Sequence, residues 1–304
     1  NNLLMGAASI SAVTPGYAVD YSCRFDSGTA SYLLFSPTSD SAARKTYTLS
    51  GWVKRGNLGK LQTVIGCSNA GGTTFSYALM APNTASNQMG SSNSGTAYNL
   101  YKTDFVLKDP TAWFHIMLVV DTTQSIPDNR VKIYYNGTQV NNYTTYTQPS
   151  LNGEMQMNST LTIGVGRLGD FSSASEIFDG YLSQVAMVTE LALSPTDFGE
   201  FNNGIWRPVD ITGLDYSGEN SFFLDFADSS NLGNDVSGND NDFTATGLAS
   251  DDQVTDTPTT NYPTINVLMQ GSPNHTYSNG NLQLIDTNNS TNDCTRASTM
   301  AIPK

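Results

Sequence analysis

The residues able to carry chemistry in this chain are few and scattered. Hydrolysis of a glycosidic bond needs two carboxyl groups facing each other across it. The chain has five glutamates, Glu154, Glu176, Glu190, Glu200 and Glu219, and no two share a strand at a spacing that would pair them. Serine-type hydrolysis needs a positioned histidine, and only His115 and His275 are present. His115 falls in a segment that is apolar on both faces and reads as a core histidine. His275 follows Pro273 and has no evident partner. Two histidines and three dispersed cysteines, Cys23, Cys67 and Cys294, do not give a zinc spacing. An odd cysteine count excludes a complete disulfide framework, and Cys23 and Cys67 are either one bridge or two buried thiols. Asp235, Asn239 and Asp242 imitate a calcium loop but lack the full spacing and the closing glutamate of an EF-hand, so they read as turn formers. The expectation is a protein that is not an enzyme. Binding chemistry is better placed. Residues 71–101 form a long polar loop rich in Gly, Ser and Asn, with Tyr98 and Tyr101 at its end. Long loops on β-sandwiches carry function, so Tyr98 and Tyr101 are the candidate ligand-binding aromatics. The alternative is a decorative insertion or a contact with a neighbouring chain.

These residues need a scaffold, and composition limits its type. The 304 residues carry 14 Lys+Arg against 27 Asp+Glu, a formal net charge of −13, with only 13% charged residues. Asn, Ser, Thr and Gly fill the polar positions, and 29 Asn favour turns over helices. The acidic balance excludes a phosphate-backbone partner, which needs clustered Lys and Arg. No apolar run approaches the roughly 20 residues that span a bilayer, so no membrane insertion is expected. Leu3–Ile10 is apolar but lacks the basic region of a signal peptide.

From Val19 to Asp228 the pattern is almost entirely strand. Thr46–Lys54 alternates. Phe114–Val120 is apolar on both faces, which places it centrally. Val131–Tyr135 runs into Asn136-Gly137, the preferred pair for a type I′ hairpin turn, with Thr138–Val140 returning. Leu161–Val165, Tyr181–Thr189 and Ser221–Ala227 are further strands. Ser194-Pro195-Thr196-Asp197 signals a short helix, with Phe198 and Phe201 expected to anchor it. The sequence thus predicts an all-β sandwich over 19–228, preceded by an N-terminal arm or tether over 1–18. It is followed by an extended, turn-rich connector over 229–272. A fresh hairpin near Tyr277 would open a second β domain over 273–304.

The order of segments carries a resemblance. Trp113-Phe114-His115, a strand ending at Asp121, and Val131–Tyr135 with Asn136-Gly137 resemble the core of laminin-G-like modules, which belong to the concanavalin A-like lectin/glucanase jelly rolls. Ile163-Gly164-Val165-Gly166-Arg167 is similar to the next strand of that family. Phe178-Asp179-Gly180-Tyr181-Leu182 followed by Leu193-Ser194-Pro195 is similar to its ending. Glucanase members use acids clustered on one strand, and this chain has no such cluster. Related jelly rolls often carry one rim calcium, which the resemblance would assign to Asp26, Asp179 and Asp225 at candidate strand ends.

A narrower resemblance rests on Gly51–Gly56, Gly204–Pro208, Leu224-Asp225-Phe226, and Asp235-Val236-Ser237-Gly238-Asn239 through Asp256-Thr257-Pro258-Thr259. These look like virion proteins of tailed bacterial viruses, in which a jelly roll is followed by a connector and often a SPRY-like module. The resemblance implies a fibre or spike on the virion surface, attached to other virion proteins through the arm. It implies a homo-oligomer, a trimer if a fibre, with host-surface glycan as the ligand. The alternative is a structural capsid or tail decoration with no ligand.

Overall fold

A computed structural model describes residues 16–38, 43–58, 61–81, 88–91, 101–170, 176–267, 275–286 and 298. In chain order the strands are β1 Ser22–Phe25, β2 Tyr32–Phe35, β3 Thr46–Arg55, β4 Gln62–Ser68, β5 Phe75–Ala81, β6 Gln88–Ser91 and β7 Tyr101–Val106. Then come β8 Phe114–Asp121, β9 Val131–Tyr135, β10 Thr138–Gln139, β11 Tyr143–Tyr146, β12 Thr162–Val165 and β13 Gly180–Thr189. The last are β14 Gly199–Asn202, β15 Ile205–Pro208, β16 Phe222–Leu224, β17 Thr244–Thr246, β18 Gln253–Val254, β19 His275–Ser278 and β20 Gln283–Asp286.

Two eight-stranded sheets form the all-β sandwich. Sheet A runs β10-β9-β8-β3-β13-β1-β18, with β16 also paired to β13; sheet B runs β11-β7-β6-β5-β4-β12-β2-β17. The pairing within both sheets is antiparallel. Strand β13 serves two neighbours on one edge because it bulges between Ser183 and Ala186, where Gln184 has φ +45. Its first half pairs β1 and its second half pairs β16.

Alternation explains the core. Leu49, Val53, Ile116, Leu118 and Leu182 face sheet B and pack with Cys67, Ile163 and Val165. Each fully buried aliphatic or aromatic side chain contributes about 1.5–3 kcal/mol. The opposite face of sheet A is also covered. Met117, Val119, Ala186 and Val188 meet Phe198, Ile211 and Tyr216, while Trp52, Trp113, Tyr181 and Trp206 form a second outer cluster. Strand β8 is apolar on both faces because both of its faces are buried. The Asn136-Gly137 turn forms as expected, with φ +46 and +73. A Cβ at Gly137 would overlap the Trp206 ring, so this turn needs glycine for space as well as for φ.

Two expectations are corrected: the anchoring role of Phe201 and the separateness of the stretch after 228. Ser194–Asp197 gives a single 3-10 turn over Pro195–Asp197, closed by the Asp197 carboxylate accepting the Ser194 N–H at 2.7 Å. Phe198 anchors it, but Phe201 is 58% exposed on β14. The turn stops because the chain pairs immediately as the β14–β15 hairpin.

The larger correction concerns 229–272. Strand β17 pairs β2 and β18 pairs β1, so this stretch adds one strand to each sheet. Phe243 enters the core against Phe35 and Phe222. Asp235 folds the turn-rich segment on itself: Oδ1 accepts the Phe223 and Ser237 N–H groups, and Oδ2 accepts the Ser237 O–H and the Asn241 N–H. Further on, the buried Lys54 Nζ donates to Asp256, Asn261 and the Tyr262 carbonyl. The β19–β20 hairpin also rests on the sandwich: Tyr181 donates to the Gly280 carbonyl and Asn281 donates to the Gly56 carbonyl. The expected boundary at 228 therefore separates nothing among the described residues. The arm lies outside them up to residue 15.

Candidate binding groove

Strand β11 ends sheet B where β10 ends sheet A, and a groove opens between these two edges. Its aromatic wall is Tyr143 and Tyr146. Residues three apart on a regular strand face opposite sides. Here the register slips between Tyr143 and Thr145, and both rings turn the same way, stacked with centroids 5.1 Å apart at 29°. Tyr146 is 46% exposed and Tyr143 is half-buried. Beneath them lies Tyr101, with ring centres 5.3 and 5.4 Å from theirs.

The polar wall comes from the loop before β9 and from the β9–β10 hairpin. Tyr146 donates to Asp128 Oδ1 at 2.9 Å and accepts from Gln148 at 2.9 Å; Tyr143 donates to the Val140 carbonyl at 2.6 Å. The 3-10 turn Pro127–Asn129 that holds Asp128 is fixed by Arg130, which donates to the carbonyls of Gln124, Ser125 and Pro149. Burial, with Asp128 beside it, pushes the Tyr146 phenol above its ordinary value, so it stays a neutral donor at pH 7. The hollow lined by Asp128, Gln139, Asn141, Tyr143 and Tyr146 holds about 420 Å³. A neighbouring hollow shares Gln139 and Asn141 and adds Asp104 and Tyr135. A third shares Phe105 and Tyr135 with it and ends at Lys108 and Asp109.

The chemistry that such a hollow offers is that of binding. Exposed aromatic faces take the apolar face of a ring, and carboxylate and amide groups take its hydroxyls, within the volume range of ligand sites. One carboxylate, Asp128, lines the main hollow, whereas acid–base cleavage needs a facing pair.

The predicted site residues fall in different places. Tyr98 lies outside the described residues. Tyr101 is fully buried and donates to the Val131 carbonyl at 3.4 Å. It supports the groove from behind and presents no face to a ligand, a correction to its expected role. Asp26 and Asp179 do come together, and Asp225 does not join them; its Oδ1 accepts the Ala227 N–H. Asp179 is 1% exposed, and its carboxyl is pushed up to about 6 by burial first and then by Asp26. Its Oδ1 accepts the Asn57 N–H, and its Oδ2 accepts the Ser27 N–H and O–H, while Asp26 Oδ1 accepts the Gly28 N–H. Among the described residues no third acid, His or Cys completes a metal-ligand set. A calcium ion seeks six to eight oxygens free to point at it. Three of the four carboxylate oxygens already serve N–H and O–H donors, and two acids alone fall short of that oxygen count, so the set does not fit calcium. Nor is it a hydrolytic pair, since both acids are closed to substrate.

His115 is buried, shares a 2.8 Å hydrogen bond between Nε2 and the Ser50 hydroxyl, and packs against Trp52, Phe198 and Trp206. Burial pulls it down to about 3, which keeps it neutral. Cys23 and Cys67 are buried free thiols. Sequence reasoning missed Asp128, Gln139, Tyr143 and Tyr146. The available signal was the pair Tyr143 and Tyr146 beside an Asn-rich turn; the bulge that aligns them leaves no period-two trace.

Comparison with known families adds one decisive match: the model described as Concanavalin A-like lectin/glucanases superfamily (Laminin_G_3) covers residues 27–197, more than half of the chain. The chain belongs to the concanavalin A-like lectin/glucanases superfamily. The groove residues 128–146 lie inside the matched span of this lectin-like sandwich. Among solved structures, the lectin-like chain is similar to a Bacteroides ovatus protein assigned to carbohydrate binding (16% identity, TM-score 0.51, covering 76% of this chain and 61% of that one). The chain thus spans about three fifths of that protein's length. It is also similar to a heptameric SAP-like pentraxin from Limulus polyphemus (14%, TM-score 0.40, 58% and 79%). A third is domain 4 of an extracellular GH43 arabinanase from Geobacillus stearothermophilus, in complex with arabinotriose (18%, TM-score 0.38, 55% and 69%). No curated protein sequence matches the chain. Among the described residues no helix is long and apolar enough to cross a membrane.

Proposed function

We propose that this protein is a non-enzymatic glycan-binding component of the surface of a bacterial-virus particle, and that the Tyr143–Tyr146 groove is its glycan site. The observation that carries the binding reading is the stacked, partly open tyrosine pair that lines, together with Asp128, Gln139 and Asn141, a hollow of about 420 Å³. A sugar ring would lie against Tyr146 while its hydroxyls reach Asp128 and the two amides. The Bacteroides ovatus neighbour contributes the fold alone, so the reading rests on the groove. The virion placement rests on the sequence resemblance of Gly51–Gly56, Gly204–Pro208 and Asp256–Thr259. In this reading residues 1–18 tether the chain to other virion proteins and copies of the chain assemble together, as a trimer if it is a fibre. A net charge of −13 keeps nucleic acid out of the list of partners.

The test has two parts. The full chain is screened on bacterial surface glycans beside Tyr146→Ala and Asp128→Ala. Binding that both variants weaken supports the groove; no glycan bound, or equal binding by all three, overturns it. Imaging of intact particles then locates the chain. Grooves open to solvent at the particle surface support host recognition. Grooves packed against neighbouring subunits replace it with a structural decoration.

A further inference from the structure

Lys54 projects from β3 to the outer face of sheet A, where its side chain has no solvent exposure. Its Nζ lies 2.7 Å from Asp256 Oδ2, 2.7 Å from Asn261 Oδ1 and 2.6 Å from the Tyr262 carbonyl oxygen. The surroundings are aromatic. The Tyr181 ring centre is 5.6 Å from Nζ, and Trp113 donates its indole N–H to Asp256 Oδ1 at 2.9 Å. The Tyr262 N–H reaches the same oxygen at 3.3 Å. Asn261 Nδ2 donates to the Thr111 carbonyl at 2.8 Å, which turns Oδ1 toward the lysine and leaves the nitrogen side open to water. A primary amine, a carboxamide and a carboxylate thus meet at one covered lysine, with the outer side of the carboxamide facing solvent.

We propose that Lys54 and Asn261 become joined by an intramolecular amide bond, with Asp256 as the proton carrier. Asp256 takes a proton from the Lys54 ammonium, leaving a neutral amine with a free electron pair. That pair attacks Asn261 Cγ, and the C=O electrons move onto Oδ1. Asp256 returns its proton to the departing nitrogen. The Cγ–Nδ2 bond breaks as the C=O re-forms, and the second Nζ proton passes by way of Asp256 to the leaving group. One ammonium ion departs for one lysine ammonium consumed, so atoms and charge balance and no oxidant, metal or co-reactant is needed.

Three features favour this step. The reacting groups are held in contact by the fold, which replaces a bimolecular encounter with a local one. Burial lowers the affinity of Lys54 for its proton, although Asp256 acts against that shift. The indole and backbone N–H groups hold Asp256 where it can serve as both base and acid. The competing description is a permanent ion pair, in which the three acceptors use the three ammonium protons and nothing reacts. The proposal is independent of the glycan groove.

The experiment is an intact-mass measurement on the full chain, followed by tryptic digestion. The proposal expects a chain lighter than its sequence by one ammonia, no tryptic cleavage after Lys54, and a branched peptide joining residues 54 and 261. Lys54→Arg and Asn261→Ala should each restore the mass of their own sequences, and Asp256→Asn should leave the lysine free. Asn-Gly pairs such as Asn136-Gly137 also lose ammonia by succinimide formation, but Lys54→Arg does not touch them. An ammonia loss that persists in Lys54→Arg overturns the proposal. So does a wild-type digest in which Lys54 is cleaved normally. The wild-type digest decides the matter even if the Asp256 variant fails to fold, and Asn261 is exposed enough for its variant to be made safely.

Discussion

At the Tyr143–Tyr146 edge, rings stand half open and the polar groups around them face solvent. On the outer face of sheet A, Lys54, Asp256, Trp113 and Tyr181 form a polar cluster of similar size that is covered, with Lys54 Nζ in reach of three acceptors and the Trp113 indole bonded to Asp256. Both clusters combine aromatic rings with a carboxylate, so composition does not distinguish them. What distinguishes them is cover: residues 253–262 close over one cluster, and nothing in the described chain closes over the other. A covered cluster fixes the fold, because buried polar groups are tolerated only where each has its partner. An uncovered one keeps its hydrogen-bonding capacity for something else.

The largest expected effect breaks the covered cluster. Asp256→Ala removes the proton carrier, so in the variant Lys54 stays a free amine, buried without a counter-charge, and the change should cost about 3–5 kcal/mol in a denaturant unfolding experiment. A loss under about 1 kcal/mol would mean that the cover opens easily and that the contrast between the clusters is false.

Acid titration sharpens the comparison through two other buried groups. His115, held down to about 3, binds fewer protons folded than unfolded between its ordinary 6.5 and 3, so its contribution to stability falls as pH drops through that window. Asp179, pushed up to about 6, binds more protons folded than unfolded between 3.8 and 6, so its contribution rises as pH drops. Each slope is at most about 1.4 kcal/mol per pH unit. Between pH 6 and 4 the two oppose each other. Asp179→Asn should therefore steepen the acid loss of stability, and His115→Gln should flatten or reverse it. Slopes that move the same way in both variants would refute the assignment.

On the open side, Tyr146→Ala should weaken glycan binding about tenfold, roughly 1.4 kcal/mol, while stability to denaturant changes by less than about 1 kcal/mol. The smallest effect belongs to Phe201. At 58% exposed, its replacement by Ser should change stability by no more than about 0.5 kcal/mol. A larger loss would show a contact that isolated-chain packing does not contain.

The fold was legible where local chemistry and pattern agree. Asn136-Gly137 demanded positive φ at two residues, and the two-sided apolar run of β8 demanded cover on both faces. The cover itself was less legible. The stretch 229–267 reads as turns because Asp235, Asn239 and Asn241 are turn formers, yet those side chains bind the chain to itself and carry β17 and β18 into place. A hydrogen bond between Val19 and Thr259, 240 positions apart, has no local signature. The groove was hidden for a related reason. Its tyrosines share a face only through a bulge, and Tyr101 was selected for its loop-end position when sheet pairing buries it. Lys54 and Asp256 carried no spacing signal, because 202 residues separate them.

That separation has a consequence for synthesis. Strand β1 leaves the ribosome early, but its two partners, β13 and β18, lie more than 150 residues behind it. At about 5–20 residues per second, the first strand waits many seconds with its edges unpaired. Until β13 has emerged, β1 has no partner within its sheet, and an unpaired strand edge is a template for pairing with another chain.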